Sequence, residues 1–151
     1  MNAKSVILHV EDEANDVDLV ALAFRKTGSP AAIQVVSDGE QAIDYLSGVG
    51  AYADRQLYPL PTLLLLDIKL PRLSGLELLG WLRGRDDLRR LPVVMLTSSP
   101  QMSDVNKAYH LGANSYLVKP SALQELIDMI KKLSMYWLET NVSPSVVDNE
   151  V

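Results

Sequence analysis

The chain has no cysteine among its 151 residues, which excludes disulfides, thiolate metal sites and cysteine nucleophiles together. No basic cluster stands out against a formal net charge of −5, so binding that depends on neutralising nucleic-acid phosphates is not expected. The apolar runs are too short to cross a bilayer, and residues Met1 to Ser5 carry no apolar signal core. The expectation is therefore a cytoplasmic protein with neither a membrane nor a nucleic-acid partner. Repeats and low-complexity tracts are absent as well. No Gly-rich loop closing in Lys-Ser or Lys-Thr follows the first apolar run, so the phosphate cradle of a P-loop is missing.

What is present is a folding balance. Hydrophobic residues make up 48% and charged residues 22%, which favours a packed globule over disorder, and the length suits one domain. Short apolar runs alternate with amphipathic stretches, the pattern of an α/β protein with a parallel sheet. Val6–Val10, Ile33–Val36, Thr62–Leu66, Val93–Leu96 and Tyr116–Val118 read as strands. Near-continuous aliphatics in the first, third and fourth suit burial on both faces. Helices fit between them at 15–27, 39–47, 75–85, 103–111 and 122–138. Ser74 with Glu77, and Ser121 with Gln124, each spell a capping box; Asp38 suits an N-cap; Gly28 and Gly112 fall where helices end in a left-handed residue. The stretch Ser47–Pro61 reads as a surface loop, and 140–151 as a flexible tail after a domain spanning 1–139.

In a parallel sheet of this kind ligands bind beyond the carboxyl ends of the strands, so the residues there decide the chemistry. The first strand runs into Glu11, Asp12 and Glu13, the third into Asp67, the fourth into Thr97 and Ser98, and the fifth into Lys119. Carboxylates gathered at one edge repel unless a cation neutralises them, and Mg²⁺ takes such oxygen ligands with waters and a substrate oxygen. Asp12 and Asp67 suit direct ligation, with Glu11 reaching the ion through water. Taken singly, each acid reads equally well as a helix-start charge. Asp67-Ile68-Lys69 lacks the second acid of a dehalogenase-type phosphatase. His9, within the first strand, and His110, late in a helix, read as structural.

These residues carry a resemblance. Val-Glu-Asp-Glu at 10–13, Leu-Leu-Leu-Asp at 64–67, Leu-Pro at 70–71, Ser-Gly-Leu-Glu at 74–77, Leu-Thr-Ser at 96–98 and Gly-Ala-Asn-Ser-Tyr-Leu-Val-Lys-Pro at 112–120 run in order over roughly residues 4–135. Together they resemble the receiver domain of two-component response regulators. The resemblance implies a flavodoxin-like (CheY-like) fold, a five-stranded parallel sheet of order 2-1-3-4-5 with helices on both faces. It implies Asp67 as the phosphoacceptor, served by a sensor histidine kinase. Asp12, Asp67 and the backbone carbonyl of Lys69 become inner-sphere ligands of Mg²⁺ (or Mn²⁺), with Glu11 in the outer sphere. Thr97 and Lys119 would contact phosphoryl oxygens, Tyr116 would be an aromatic switch, and the Lys119–Pro120 bond would be cis. Such a protein signals rather than turning over a substrate, although it supports its own Mg-dependent phosphorylation and dephosphorylation. The Glu11-Asp12 pair stands where the family often has Asp-Asp, a common variation.

The end of the chain narrows the reading. No DNA-binding or enzymatic module follows residue 140, so output is expected through contact with a downstream protein that the sequence does not name. In the last helix Leu123, Leu126, Ile127, Ile130, Leu133, Trp137 and Leu138 form a stripe, widened by Met129 and Tyr136. The apolar sector spans roughly 200°, against the ~100° that covers a core. Met129, Tyr136, Trp137 and Leu138 are therefore expected in a homodimer contact, with packing under the 47–61 loop as the alternative. That loop, Leu-Pro-Arg-Leu-Ser-Gly at 70–75 and Tyr-Trp-Leu-Glu at 136–139 resemble the small single-domain regulators paired with bacterial phytochromes. A phosphorylation-independent dimeric adaptor with a receiver fold is the competing class. An adaptor need not keep Glu11, Asp12, Asp67, Thr97 and Lys119 together.

Overall fold

Five short aliphatic runs hydrogen-bond side by side in a computed structural model that describes residues 5–146. In chain order the elements are β1 (Val6–Val10), α1 (Ala14–Thr27), β2 (Ala32–Val36), α2 (Gly39–Ser47), β3 (Leu63–Leu66), α3 (Gly75–Arg83), β4 (Val93–Thr97), α4 (Met102–His110), β5 (Ser115–Val118) and α5 (Leu123–Ser134). All pairings are parallel and the order is β2-β1-β3-β4-β5. The fold expected from the sequence is the one observed.

Period-two alternation along each strand divides the core into two layers. Leu8, Val10, Leu64, Leu66, Val93 and Met95 face one side, where Ala42, Tyr45, Leu78, Leu82 and Ala108 of α2, α3 and α4 cover them. Ile7, Leu63, Leu65, Val94 and Leu96 face the other, against Val20 and Phe24 of α1 and Leu126, Ile130 and Leu133 of α5. β1, β3 and β4 are buried throughout, as their aliphatic runs require. β2 and β5 lie at the edges and are only partly covered.

The local signals hold at most ends. Asp38 accepts from Gln41 N at 2.7 Å, Ser74 and Glu77 form the reciprocal capping box, and Gly28 ends α1 in the left-handed region at φ 72. The Ser121–Gln124 box does not form. α5 starts one residue late with Ala122 as its N-cap, and the Gln124 amide donates to Asp128 instead, at 3.1 Å. The Lys119–Pro120 bond is trans, since no cis peptide bond occurs among the described residues; trans is the lower-energy isomer for X–Pro by about 0.5–1 kcal/mol.

The last helix also departs from a regular α-helix. It widens after Ser134 into a π-helical segment, Met135–Thr140, where Asn141 N reaches Tyr136 O at 2.6 Å. Trp137 and Leu138 still pack against the α1–α5 layer, whereas Leu123, expected on the sheet-facing stripe, is exposed. The loop between α2 and β3 lies in the opposite layer, so α5 does not run under it. There Tyr45, Tyr52 and Tyr58 stack edge to face or tilted within 6 Å. The Arg55 guanidinium donates to the carbonyls of Tyr45 at 2.7 Å, Leu46 at 2.9 Å and Tyr58 at 3.1 Å. Of the expected tail, 147–151 lie outside the described residues, and Val146 packs against the α2–α3–α4 layer.

At the foot of the sheet one half-buried side chain joins three segments. Arg83 donates to Leu91 O at 2.7 Å, Arg89 O at 2.8 Å, Gly112 O at 2.9 Å and Asn114 Oδ1 at 2.9 Å. Burial lowers its guanidinium below the usual value, so acceptors rather than counter-charge hold it. Arg83→Ala strands several carbonyls at once and should cost about 3 kcal/mol. Urea unfolding of the two chains side by side measures this, and coincident midpoints would refute it.

Candidate functional site

The carboxyl ends of β1, β3, β4 and β5 place Glu11, Asp67, Thr97 and Lys119 along one edge of the sheet. Glu11 follows β1 directly and is fully buried; Asp67 follows β3 and is 6% exposed; Thr97 closes β4 and is fully buried. The Lys119 amide donates to Thr97 O at 2.8 Å, which aims its side chain back along the edge. There the ammonium donates to three carboxylates: Glu11 Oε1, Asp16 Oδ2 at 2.9 Å and Asp67 Oδ2 at 3.1 Å.

The electrostatics follow from that crowding. Burial would lower the Lys119 ammonium, but hydrogen bonds to Glu11 and Asp16 and the Asp67 charge raise it above the usual lysine value, so it is charged at neutral pH. Burial pushes the Glu11 carboxyl up, opposed by its bond from Lys119 and reinforced by Asp67. Glu11, Asp12 and Asp67 each bring an oxygen within 4.8 Å of the others. Asp16 brings the carboxylates to four, three of them paired with Lys119, and among the described residues that one ammonium leaves three formal negative charges uncompensated. An oxygen-only donor set with that deficit fits a hard divalent cation. The Thr97 hydroxyl is buried without a partner among the described residues, which costs free energy unless a ligand oxygen engages it.

The loop after Asp67 is pinned. Its amide at Lys69 donates to Asp67 Oδ1 at 3.4 Å. Arg72 has φ 64, a conformation side chains seldom adopt, and its guanidinium pairs with Asp38 at 2.9 Å and Glu40 at 2.6 Å. Gly75 opens α3 against the Asp67 backbone, where an added Cβ would lie 1.9 Å from Asp67 O. Tyr116 on β5 donates its hydroxyl to Ser99 O at 2.8 Å, and Ser99 Oγ in turn donates to Asp104. That chain ties the edge strand to the β4–α4 loop.

The family model for the response regulator receiver domain matches residues 7–131. The Synechocystis response regulator Rcp1 is 36% identical over 144 residues, 95% of this chain and 96% of that protein. A probable methanogenesis regulatory protein, FilR2 of Methanothrix harundinacea, is 37% identical over 142 residues, 92% of this chain and 87% of it. Among solved structures, a phosphorylated cyanobacterial phytochrome response regulator, RcpA, superposes with a TM-score of 0.88 at 34% identity, covering 95% of this chain and all of that one. A Mn²⁺-bound form of response regulator Rcp1 gives 0.84 at 36% identity over 93% of this chain and 99% of that one. This chain belongs to the response regulator receiver family, the signalling partners of two-component systems.

Glu11, Asp12, Asp67, Thr97 and Lys119 share one edge as expected. Lys69 contributes its backbone there while its side chain is exposed. His9 is buried beneath the edge with neither ring nitrogen partnered among the described residues; burial, then Lys119, pushes it down to about 4, so it is a neutral core residue. His110 lies exposed at the end of α4. Sequence reasoning missed Asp16, because an acid in the first turn of a helix reads as a dipole partner. Its only signal was its place five residues after Glu11. Gly75 was noticed only as part of a motif, yet it sets how closely α3 approaches Asp67. Gly75→Ala should destabilise by about 2–3 kcal/mol, since backbone rather than a flexible side chain must yield. Thermal and urea unfolding report the cost, and an unchanged midpoint would show that the contact can relax.

Proposed function

We propose that this chain accepts a phosphoryl group from a histidine kinase onto Asp67 and signals through the resulting change in protein contacts. One observation carries the reading: the Lys119 ammonium lies 3.1 Å from Asp67 Oδ2, at an edge that also holds the unpartnered Thr97 hydroxyl. Asp67 is a carboxylate nucleophile. Its oxygen bonds to phosphorus as the P–N bond of a phosphohistidine breaks; the electron pair stays on the imidazole nitrogen, which takes up a proton. Phosphoryl transfer needs mainly alignment and charge neutralisation. Lys119 supplies positive charge to the equatorial oxygens, and Thr97 a hydroxyl donor. Mg²⁺, held by Asp12, Asp67 and the Lys69 carbonyl with Glu11 outside them, would neutralise further phosphoryl charge. The acyl phosphate then adds charge and acceptors beside Thr97 and Lys119, and Tyr116, bonded to the β4–α4 loop, is placed to relay the change.

Likeness to a phosphorylated cyanobacterial phytochrome response regulator supports a phytochrome-class kinase as donor. The test of the site is direct. Incubated with acetyl phosphate and Mg²⁺, the parent should gain one phosphoryl group by intact mass, Asp67→Asn none, and Lys119→Ala a reduced fraction. An unmodified parent would favour the adaptor reading, and normal labelling of Asp67→Asn would move the acceptor elsewhere.

The second part of the proposal is a homodimer through α5. Met129, Tyr136 and Trp137 line a groove of about 750 Å³ between α5 and the β5 edge, and Tyr136 is half exposed. Glu125 and Asp128 border its start and Lys132 its end. An antiparallel second copy on a two-fold axis would set those opposite charges facing one another. Leu138 packs inward instead and supports the helix end. Tyr136→Ala should weaken self-association about tenfold or more, as loss of a central aromatic does, without altering Asp67 labelling. Sedimentation across micromolar concentrations decides it; a parent that stays monomeric, phosphorylated or not, removes the dimer.

A further inference from the structure

We propose that Asp16 is a positioning residue: its carboxylate restrains the Lys119 ammonium before phosphorylation and releases it when the phosphoryl group arrives. This rests on Asp67 being the acceptor. An ammonium carries three N–H donors, and all three are taken, by Glu11, by Asp16 at 2.9 Å and by Asp67 at 3.1 Å. Lys119 can reach a phosphoryl oxygen only by giving one up.

The environments of the three carboxylates say which one yields. The Glu11 side chain is wholly buried, so stripping its partner would leave an uncompensated charge in the interior. Asp67 becomes the acyl phosphate and keeps its donor through the acceptor oxygen itself, so the added phosphoryl oxygens need a second donor from the ammonium. Asp16 is 36% exposed, and water can replace the lost bond. Asp16 is the bond that breaks at least cost.

The position of Asp16 in its helix points the same way. It is the third residue of α1, the position from which a Glu or Gln folds back onto the N-cap amide in a capping box. Here the amide of the N-cap, Glu13, is occupied by Glu11 Oε2 at 3.2 Å, and Glu13 itself makes no side-chain cap. The Asp16 carboxylate instead reaches across 103 residues of sequence to Lys119. A contact made before transfer and lost during it slows the transfer, so Asp16 holds the unphosphorylated state and ties the start of α1 to the phosphorylation state of Asp67.

The experiment follows labelling of the full chain by acetyl phosphate and Mg²⁺ with time, by intact mass. Asp16→Asn should label about three- to tenfold faster, the range for a charge-assisted bond to a partly exposed carboxylate. Asp16→Glu should restore a rate near the parent. In a Lys119→Ala background Asp16→Asn should change nothing, because the residue acts only through that ammonium; a merely structural role would give the same effect in both backgrounds. An unchanged or slower rate in Asp16→Asn, or equal acceleration without Lys119, overturns the inference while Asp67 still labels. A parent that does not label at all overturns the acceptor reading and this one together.

Discussion

One ammonium among carboxylates sets the terms for the whole upper edge of this fold. Glu11 is held in the interior with its side chain out of contact with water, which is tolerable only because Lys119 meets it there. Lys119 is in turn delivered by β5, from the far edge of the sheet, to residues that begin with β1. The pair therefore closes the strand order: it requires β1, β3, β4 and β5 to end level with one another. A parallel sheet delivers that alignment, because every strand end of the same polarity lies on the same edge.

The Asp67 side and the Lys119 side of the edge are built differently. Asp67 leaves the buried centre of the sheet and is fixed from behind by Gly75, whose amide donates to Ile68 O at 2.8 Å. Beyond it the Ser74–Glu77 capping box and the Arg72 pairs with Asp38 and Glu40 fasten the loop to α3 and α2. The left-handed backbone at Arg72 costs on the order of 1 kcal/mol or more, and the two ion pairs help to hold it. Lys119, in contrast, follows an edge strand that is nowhere fully buried. A side pinned by backbone contacts, beside a side chain held by ion pairs after an edge strand, is what a site needs if new charge on Asp67 is to move something else rather than itself.

The sequence made the frame legible because the frame rests on strong, local signals. Aliphatic runs bounded by turn residues placed all five strands to within a residue, and Asp38, Ser74 and Gly28 marked helix ends by chemistry that acts over three or four residues. Glu11, Asp12, Asp67, Thr97 and Lys119 could be placed together because strand ends are countable. What stayed hidden depends on geometry between segments. Asp16 becomes significant only once β5 brings Lys119 over α1. The lapse of α5 into a π-helix after Ser134 has no signature in an apolar pattern that a regular helix would share. Ser121 carried a sound capping motif and lost to a one-residue shift in where α5 begins.

The edge has a physical route outward. The Tyr116 hydroxyl holds the carbonyl of Ser99, two residues beyond Thr97, and the Ser99 hydroxyl holds Asp104 in the first turn of α4. Any displacement of Thr97 towards new charge on Asp67 pulls on the same loop that Tyr116 grips. A buried hydroxyl without a partner gains a full hydrogen bond by such a move, whereas Tyr116, half-buried at a sheet edge, can exchange its bond for one to water at little net cost. Under the proposed phosphorylation of Asp67, that balance would favour change at Tyr116, which borders the surface of β5 with α4 and α5.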